Sequence, residues 1–292
     1  MMDFKVAVVA QDSVVLRKKE NLESTISWIR KAKQEDALLI SFPELNITGH
    51  AGDPRVFEEA ESVPEGRSVE LLCKAAKEER IYICSGIVEE SRGLYYNTSF
   101  LIGPEGYIGK QRKTHLSQDE YFYFKAGLNL PVFDLPFARI GIIICFDNFF
   151  PEITCSLAVK GAEILLSVHA DRFGKWPEST EARQKKVEDT KKKWTMRYQC
   201  RAKDASCYEV ICNAAGQAAI HLNDVESNHA GGCMVVDPNG NIVAESGSKD
   251  IEEEMIVVPL YGRLIAERRR EKNSYLKHRR PEVFGILSQP IE

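Results

Sequence analysis

The chain has 292 residues, 43% of them hydrophobic and 28% charged, a size and balance that suit a globular protein with a large core. Its 39 basic residues against 43 acidic ones leave a formal charge of -4, without the basic excess that would point to nucleic acid as a partner. No apolar run approaches the ~20 residues needed to span a bilayer, and Met1-Met2-Asp3-Phe4-Lys5 lacks the charged and apolar regions of a signal peptide, so the expectation is a cytoplasmic protein with no membrane partner.

In chain order, Phe4 to Ala10 reads as a strand and Leu16 to Ala37 as an amphipathic helix carrying Leu22, Ile26, Trp28, Ile29 and Ala32. Ala37 to Phe42 is a second strand, Val69 to Arg80 a helix and Ile81 to Val88 a buried strand. Tyr95 to Ile102 and Tyr107 to Arg112 flank Gly103-Pro104-Glu105-Gly106, which predicts a hairpin. Ile140 to Cys145, Ile164 to Val168 and Glu209 to Asn213 are further strands, separated by helices over Phe150 to Lys160 and Val187 to Ser206. The charge-dense stretch Glu178 to Lys193 lacks glycine and offers i,i+4 pairs, so it reads as exposed helix rather than linker. Cys233 to Asp237 and Asn241 to Ala244 around Pro238-Asn239-Gly240 give a second hairpin. Strands alternating with helices, plus hairpins, predict an α/β protein with mixed sheets inside and helices outside.

Cysteines stand at 73, 84, 145, 155, 200, 207, 212 and 233, with no Cys-x-x-Cys pair and no short Cys/His spacing. That pattern predicts reduced thiols, no disulfide framework and no zinc site. Cys145 differs from the rest because the β-branched run Ile140-Gly141-Ile142-Ile143-Ile144 delivers it into Phe146-Asp147-Asn148-Phe149-Phe150-Pro151-Glu152. Pro151-Glu152 is first-turn helix chemistry, so the thiol is placed at a strand-to-helix junction, where a helix N-terminus favours thiolate. A core-filling cysteine would have the same local pattern, and only partners separate the two. Two other strand ends supply candidates: Glu44 follows Leu38-Leu39-Ile40-Ser41-Phe42-Pro43, and Lys113 ends Gly109-Lys110-Gln111-Arg112. A carboxylate, an ammonium and a thiol are what nucleophilic acyl chemistry needs as base, oxyanion stabiliser and nucleophile.

At these residues the chain resembles the nitrilase superfamily, the carbon-nitrogen hydrolases. Phe42-Pro43-Glu44-Leu45 is similar to the family's glutamate motif, Arg112-Lys113-Thr114-His115-Leu116 to its lysine motif, and Gly141 to Asp147 with Phe150-Pro151-Glu152 to its cysteine motif, in the same order. Glu120 sits where family amidases carry a second glutamate. The resemblance runs over nearly the whole chain, through Gly161 to Leu165, Trp194 to Asn213, Gly231 to Gly240 and Arg279 to Glu282. It implies one domain over 1–292, with a core of about 4–260 and a tail at 261–292 packing on the core or on a partner subunit. The implied fold is an αββα sandwich with mixed sheets that dimerises into an α-β-β-α-α-β-β-α stack.

The implied chemistry is hydrolysis of a non-peptide C–N bond in a small linear amide or N-carbamoyl compound. Cys145 forms a thioester, Glu44 is the base, Lys113 and the Phe146 backbone N–H face the oxyanion, and Glu120 orients Lys113 or the substrate. No metal or organic cofactor is implied. Asp147 resembles amidase and N-carbamoyl branches rather than nitrilases, whose motif usually has glutamate there. Phe149 stands where many family amidases have arginine, which weakens an ω-amidase reading, and Asn148 with Phe149 resembles branches acting on N-carbamoyl amines. Segments near His50, Tyr121 to Phe124 and His169 to Trp176 are expected to line the pocket, with Phe146, Asn148, Tyr121, His169 and Arg172 as the expected substrate contacts. His169 reads as a pocket wall or hydrogen-bonding core residue, and Arg172 as either a substrate-carboxylate ligand or a surface partner of Asp171. Nitrile hydrolysis, acyl transfer to an amine, a Cys-His mechanism through His115 or His169, and a catalytically silent binding module are the alternatives.

Overall fold

The computed structural model describes residues 1–50, 54–173, 177–218, 227–246 and 252–289. In chain order the first elements are β1 (Phe4–Ala10), α1 (Lys18–Gln34), β2 (Leu39–Ser41), α2 (Arg67–Glu79), β3 (Tyr82–Ser91), β4 (Leu94–Gly103) and β5 (Gly106–Arg112). They are followed by β6 (Val132–Asp134), β7 (Arg139–Ile144), α3 (Pro151–Val159), β8 (Ile164–His169), β9 (Arg172–Phe173), α4 (Thr180–Ala205) and β10 (Tyr208–Asn213). The last are β11 (Ala215–Ala218), β12 (Ser227–Ala230), β13 (Cys233–Val236), β14 (Ile242–Glu245), β15 (Glu254–Leu260), α5 (Gly262–Arg270) and α6 (Tyr275–His278).

Two six-stranded mixed sheets result, ordered β15-β1-β2-β3-β4-β5 and β14-β13-β10-β8-β7-β6, with a small third sheet β11-β12-β9. The period-2 pattern of each strand decides what its faces cover. Val6, Val8 and Ala10 pack with Ile142, Ile144, Leu166 and Val210 in a core between the sheets. Ala7 and Val9 point the other way, into a second core with Leu22 and Ile29 of α1 and Leu72 and Ala76 of α2. Ile143 and Leu165 likewise leave the middle core to meet Ile153 and Leu157 of α3. The layers are therefore α-β-β-α, as the resemblance implies.

Several expectations need adjustment. The helical stretches read around Glu178–Lys193 and Val187–Ser206 are one 26-residue helix, α4, whose N-terminus is capped by Ser179 Oγ accepting from the Ala182 N–H at 3.2 Å. The second strand is shorter than Ala37 to Phe42, because Phe42 already turns toward the loop that carries Glu44. β15 was not expected, since Pro259 interrupts its apolar run. Proline is tolerated there because β15 is an edge strand, with Pro259 opposite Lys5 of β1. The tail folds back as α5 and α6: an Arg269 guanidinium nitrogen donates to the Ala162 carbonyl, and Tyr275 Oη meets Cys155 Sγ at 3.1 Å.

Close backbone approach fixes where the Glu44 loop lies. A Cβ on Gly86 of β3 would stand 2.6 Å from the backbone nitrogen of Leu45. Gly86 N–H also donates to Asn46 Oδ1 at 2.8 Å, and the Ile47 N–H donates to the Gly86 carbonyl at 3.0 Å. Gly86→Ala must displace this loop, and we expect a loss of about 1–3 kcal/mol, read as a lower urea midpoint at unchanged m-value.

Candidate active site

The loops that leave β2, β5 and β7 meet at one end of the sandwich. Glu44 lies three residues past β2, and Lys113 follows β5 directly, held by its N–H donating to the Asn97 carbonyl at 2.9 Å. Cys145 follows β7 and opens a short 3-10 turn, Cys145–Phe149, ahead of α3. Its φ is +47°, a left-handed conformation that a β-carbon disfavours, so the turn is sharp and turns the thiol away from the strand direction.

Glu44, Lys113 and Glu120 are all buried, at 1%, 1% and 2% exposure. The Lys113 Nζ donates to Glu44 Oε1 at 2.7 Å and lies 2.8 Å from Glu120 Oε2. Asn97, on the strand beside β5, donates its side-chain amide to the same two acids, at 2.7 Å to Glu44 and 3.1 Å to Glu120. The second Glu44 oxygen accepts from the Ala170 N–H at 2.9 Å. Glu120 is fixed by a capping box in which Ser117 N–H and Oγ–H both donate to Oε2 at 2.8 Å. His50 Nε2 completes the cluster 3.5 Å from Glu120.

Burial pushes the Glu44 carboxyl up, but the Lys113 ammonium and His50 outweigh it, and Glu44 titrates below its ordinary value. Glu120 is lowered too: burial opposes, while His50 and Lys113 prevail. Lys113 is raised despite its burial, because Glu44, the Cys145 site and Glu120 all favour its charge. The Cys145 thiol is pushed well above the usual range, first by burial, then by Glu44, with Asp171 and Glu120 adding to it and only Lys113 opposing. The helix N-terminus at Cys145 favours thiolate, as expected from the sequence, while burial and the neighbouring carboxylates oppose it.

The opposite wall comes from β8 and the residues after it. Asp171 Oδ1 lies 3.6 Å from Cys145 Sγ. His169 is buried, its Nε2 2.9 Å from Ser167 Oγ and 3.2 Å from Tyr198 Oη, with Trp194 stacked on the ring. Asn148 is fully buried, donating to Ser167 Oγ at 2.7 Å and to Glu209 Oε1 at 2.5 Å. Burial pushes the Glu209 carboxyl up to about 8. Asp147 ties the cysteine loop to the lysine loop, accepting from Thr114 Oγ1 at 2.6 Å, from the His115 N–H at 2.7 Å and from the Thr114 N–H at 3.3 Å, with His115 Nδ1 2.9 Å away.

The structure thus brings Glu44, Lys113, Glu120 and Cys145 together. It does not bring all the expected lining residues with them. The Asn148 amide is committed to the interior, the Tyr121 ring is 68% exposed, and Phe146 packs half-buried against Phe149 and Phe150. Arg172 pairs with Asp119 at 2.9 Å, not with Asp171, which turns to the thiol instead. Gly174, Lys175 and Trp176 lie outside the described residues. Asn97, Asp171 and Glu209 were missed. Glu209 had a readable signal, a lone acid in the apolar run Tyr208-Glu209-Val210-Ile211-Cys212, whereas Asp171 sits in a polar loop like many others.

Removing the ammonium strands two buried carboxylates. In the native chain both acids titrate low, so their ionised forms stabilise the fold above the ordinary carboxylate range, and that contribution is lost as pH falls through their depressed folded values. In Lys113→Met the burial contribution would raise both, reversing the sign. Urea melts should show a loss of about 3–5 kcal/mol near neutral pH that shrinks as pH falls toward 5. A loss independent of pH would refute the electrostatic account.

Known proteins match this geometry with its sequence. The carbon-nitrogen hydrolase family matches residues 5–269. A nitrilase of Pyrococcus abyssi is 40% identical over 164 residues, 55% of this chain and 63% of that protein's length. An (R)-stereoselective amidase of a Pseudomonas species is 28% identical over 91% of this chain and 87% of its own. The crystal structure of Saccharomyces cerevisiae Nit3, a member of branch 10 of the nitrilase superfamily, superimposes with a TM-score of 0.77 at 27% identity, covering 93% of this chain and 95% of that one. The protein belongs to the carbon-nitrogen hydrolase family, within the nitrilase superfamily.

Proposed function

We propose that this carbon-nitrogen hydrolase cleaves the C–N bond of a small linear amide or N-carbamoyl compound through a thioester on Cys145, releasing ammonia or an amine. The observation that carries the reading is the shared buried pocket of Glu44, Lys113 and Glu120 at the Cys145 turn, with Glu44 and Lys113 2.7 Å apart. Glu44 is held ionised and Cys145 protonated, the starting state that general-base activation requires.

Cys145 Sγ attacks the carbonyl carbon as Glu44 takes the thiol proton. Glu44 returns that proton to the departing nitrogen, the C–N bond breaks, and the acyl group remains on sulfur. Glu44 then takes a proton from water, hydroxide adds to the thioester, and the acid leaves as the thiol is restored. Lys113 Nζ and the Phe146 backbone N–H are the groups for the oxyanion in both steps. Glu120 is a positioning residue, since it touches Lys113 and His50.

Amide rather than nitrile hydrolysis is favoured by Asp147. Its carboxylate accepts from the Thr114 hydroxyl and the His115 N–H, so the amidase-type residue at this position is tied directly to the lysine loop. Transfer to an amine needs only a different acceptor for the same thioester. A homodimer goes with this reading, and the exposed Val283, Phe284, Ile286 and Leu287 of the tail supply apolar surface for it.

Ammonia release from a panel of linear amides, N-carbamoyl amines, N-carbamoyl amino acids and nitriles tests the assignment. Cys145→Ala should abolish activity, and Glu44→Gln should lower kcat by about 10²–10⁴. Intact-mass spectrometry of rapidly quenched native enzyme should show an acyl adduct on Cys145, and an added amine should divert product only if transfer competes. Turnover surviving in Cys145→Ala would overturn the mechanism.

A further inference from the structure

The described residues hold two groups of side chains with ligand atoms close enough to share one cation, and they are not equivalent. In the first, Glu44, His50 and Glu120 converge, but the Lys113 ammonium already lies within hydrogen-bond distance of both acids. That charge fills the role of a cation there. In the second, Cys145, His169 and Asp171 offer sulfur, nitrogen and oxygen atoms all within 4.8 Å of one another, and among the described residues the hydrogen bonds these side chains make are to Ser167, Tyr198 and one another rather than to a cation.

Sulfur, imidazole nitrogen and carboxylate oxygen are donors that zinc accepts, and one of their separations has zinc's spacing. Tetrahedral zinc takes thiolate sulfur at about 2.3 Å and carboxylate oxygen at about 2.0 Å, which sets the two donors about 3.5 Å apart. Cys145 Sγ and Asp171 Oδ1 stand 3.6 Å apart. His169 Nε2 engages Ser167 Oγ and Tyr198 Oη, which fixes the ring, and a ring nitrogen lies within 4.8 Å of both the sulfur and the Asp171 carboxylate. Asp171 is held in place through its backbone, its N–H donating to Asn213 Oδ1 at 2.9 Å and its carbonyl facing His229 Nδ1 at 3.2 Å. The surroundings favour a cation, because the Glu44, Glu120 and Asp171 carboxylates outnumber the Lys113 ammonium around the sulfur.

We propose that Cys145, His169 and Asp171 form a binding site for a thiophilic divalent cation, best suited to zinc, whose occupancy ties up the sulfur. Binding forms the S–Zn bond and releases the thiol proton to solvent, with no change of oxidation state and with water at the fourth position. The geometry of the site stands without the catalytic reading. The consequence that zinc is a reversible inhibitor rests on the function proposed above.

Cobalt(II) titration of the purified full-length chain tests the site independently of turnover. We expect one equivalent to bind with a thiolate-to-cobalt charge-transfer band and tetrahedral d–d intensity, and zinc to displace it. The band should vanish in Cys145→Ala, persist in Cys200→Ser, which alters an exposed thiol, and need at least roughly tenfold more metal in Asp171→Asn. Zinc should inhibit any amide hydrolysis reversibly, with activity restored by a chelator. No charge-transfer band, a band surviving in Cys145→Ala, or equal affinity in Asp171→Asn would overturn the site. A normal band in a chain that hydrolyses none of the panel would leave the metal site standing and reject the function.

Discussion

A single ammonium buried between two carboxylates organises this end of the molecule. Lys113 is 1% exposed, a position that lysine occupies only when its charge is met by anions and its N–H groups by acceptors. Glu44 and Glu120 meet it, and neither acid would stay ionised at that depth without it. Since the three side chains come from the loop after β2, the end of β5 and the 3-10 turn capped by Ser117, satisfying one charge forces three separate segments together. Asn97, which donates to both acids, is the neutral brace of the same arrangement.

The same constraint sets the state of the sulfur. Burial first, and then the Glu44 and Asp171 carboxylates, push the Cys145 thiol up, whereas Lys113 and His50 draw Glu44 below its ordinary range. Asp147 adds the mechanical half of the coupling. By accepting from Thr114 and His115 it ties the loop immediately after Lys113 to the loop immediately after Cys145. Farther in, Asn148 and Glu209 pin the 3-10 turn to β8 and β10 from below.

Much of this was legible in the residue order. Short, nearly continuous apolar runs gave β1, β3, β7, β8 and β10, and Pro151-Glu152 gave the start of α3, because both are local consequences of burial and backbone chemistry. The strand ends carrying Glu44, Lys113 and Cys145 were visible for the same reason. The opposite wall was not. Asp171 lies one residue beyond Ala170 in an ordinary polar loop, and only the parallel pairing of β7 with β8 brings it beside the sulfur. Asn148 was read as a substrate contact from the resemblance to branches acting on N-carbamoyl amines, yet the 3-10 turn carries its amide inward to Ser167 and Glu209. Edge elements such as β6 and β15 were missed because short strands and an internal proline weaken the very pattern that identifies central ones.

Holding the proton on sulfur has a chemical consequence. A thiolate at rest would react with any electrophile small enough to enter, whereas on the function proposed above the nucleophile is created only when Glu44 accepts the proton as the carbonyl is attacked. The negative charge then passes from Glu44 to the carbonyl oxygen. Lys113, close to Glu44 from the outset, is placed to stabilise that transfer without moving, so its cost in buried charge is already met in the folded state. On this reading the tight Glu44–Lys113 pair is less a stabilising salt bridge than a preset field. Its strength is balanced so that the acid remains a base, and the ammonium remains available, until a substrate carbonyl supplies the competing oxygen.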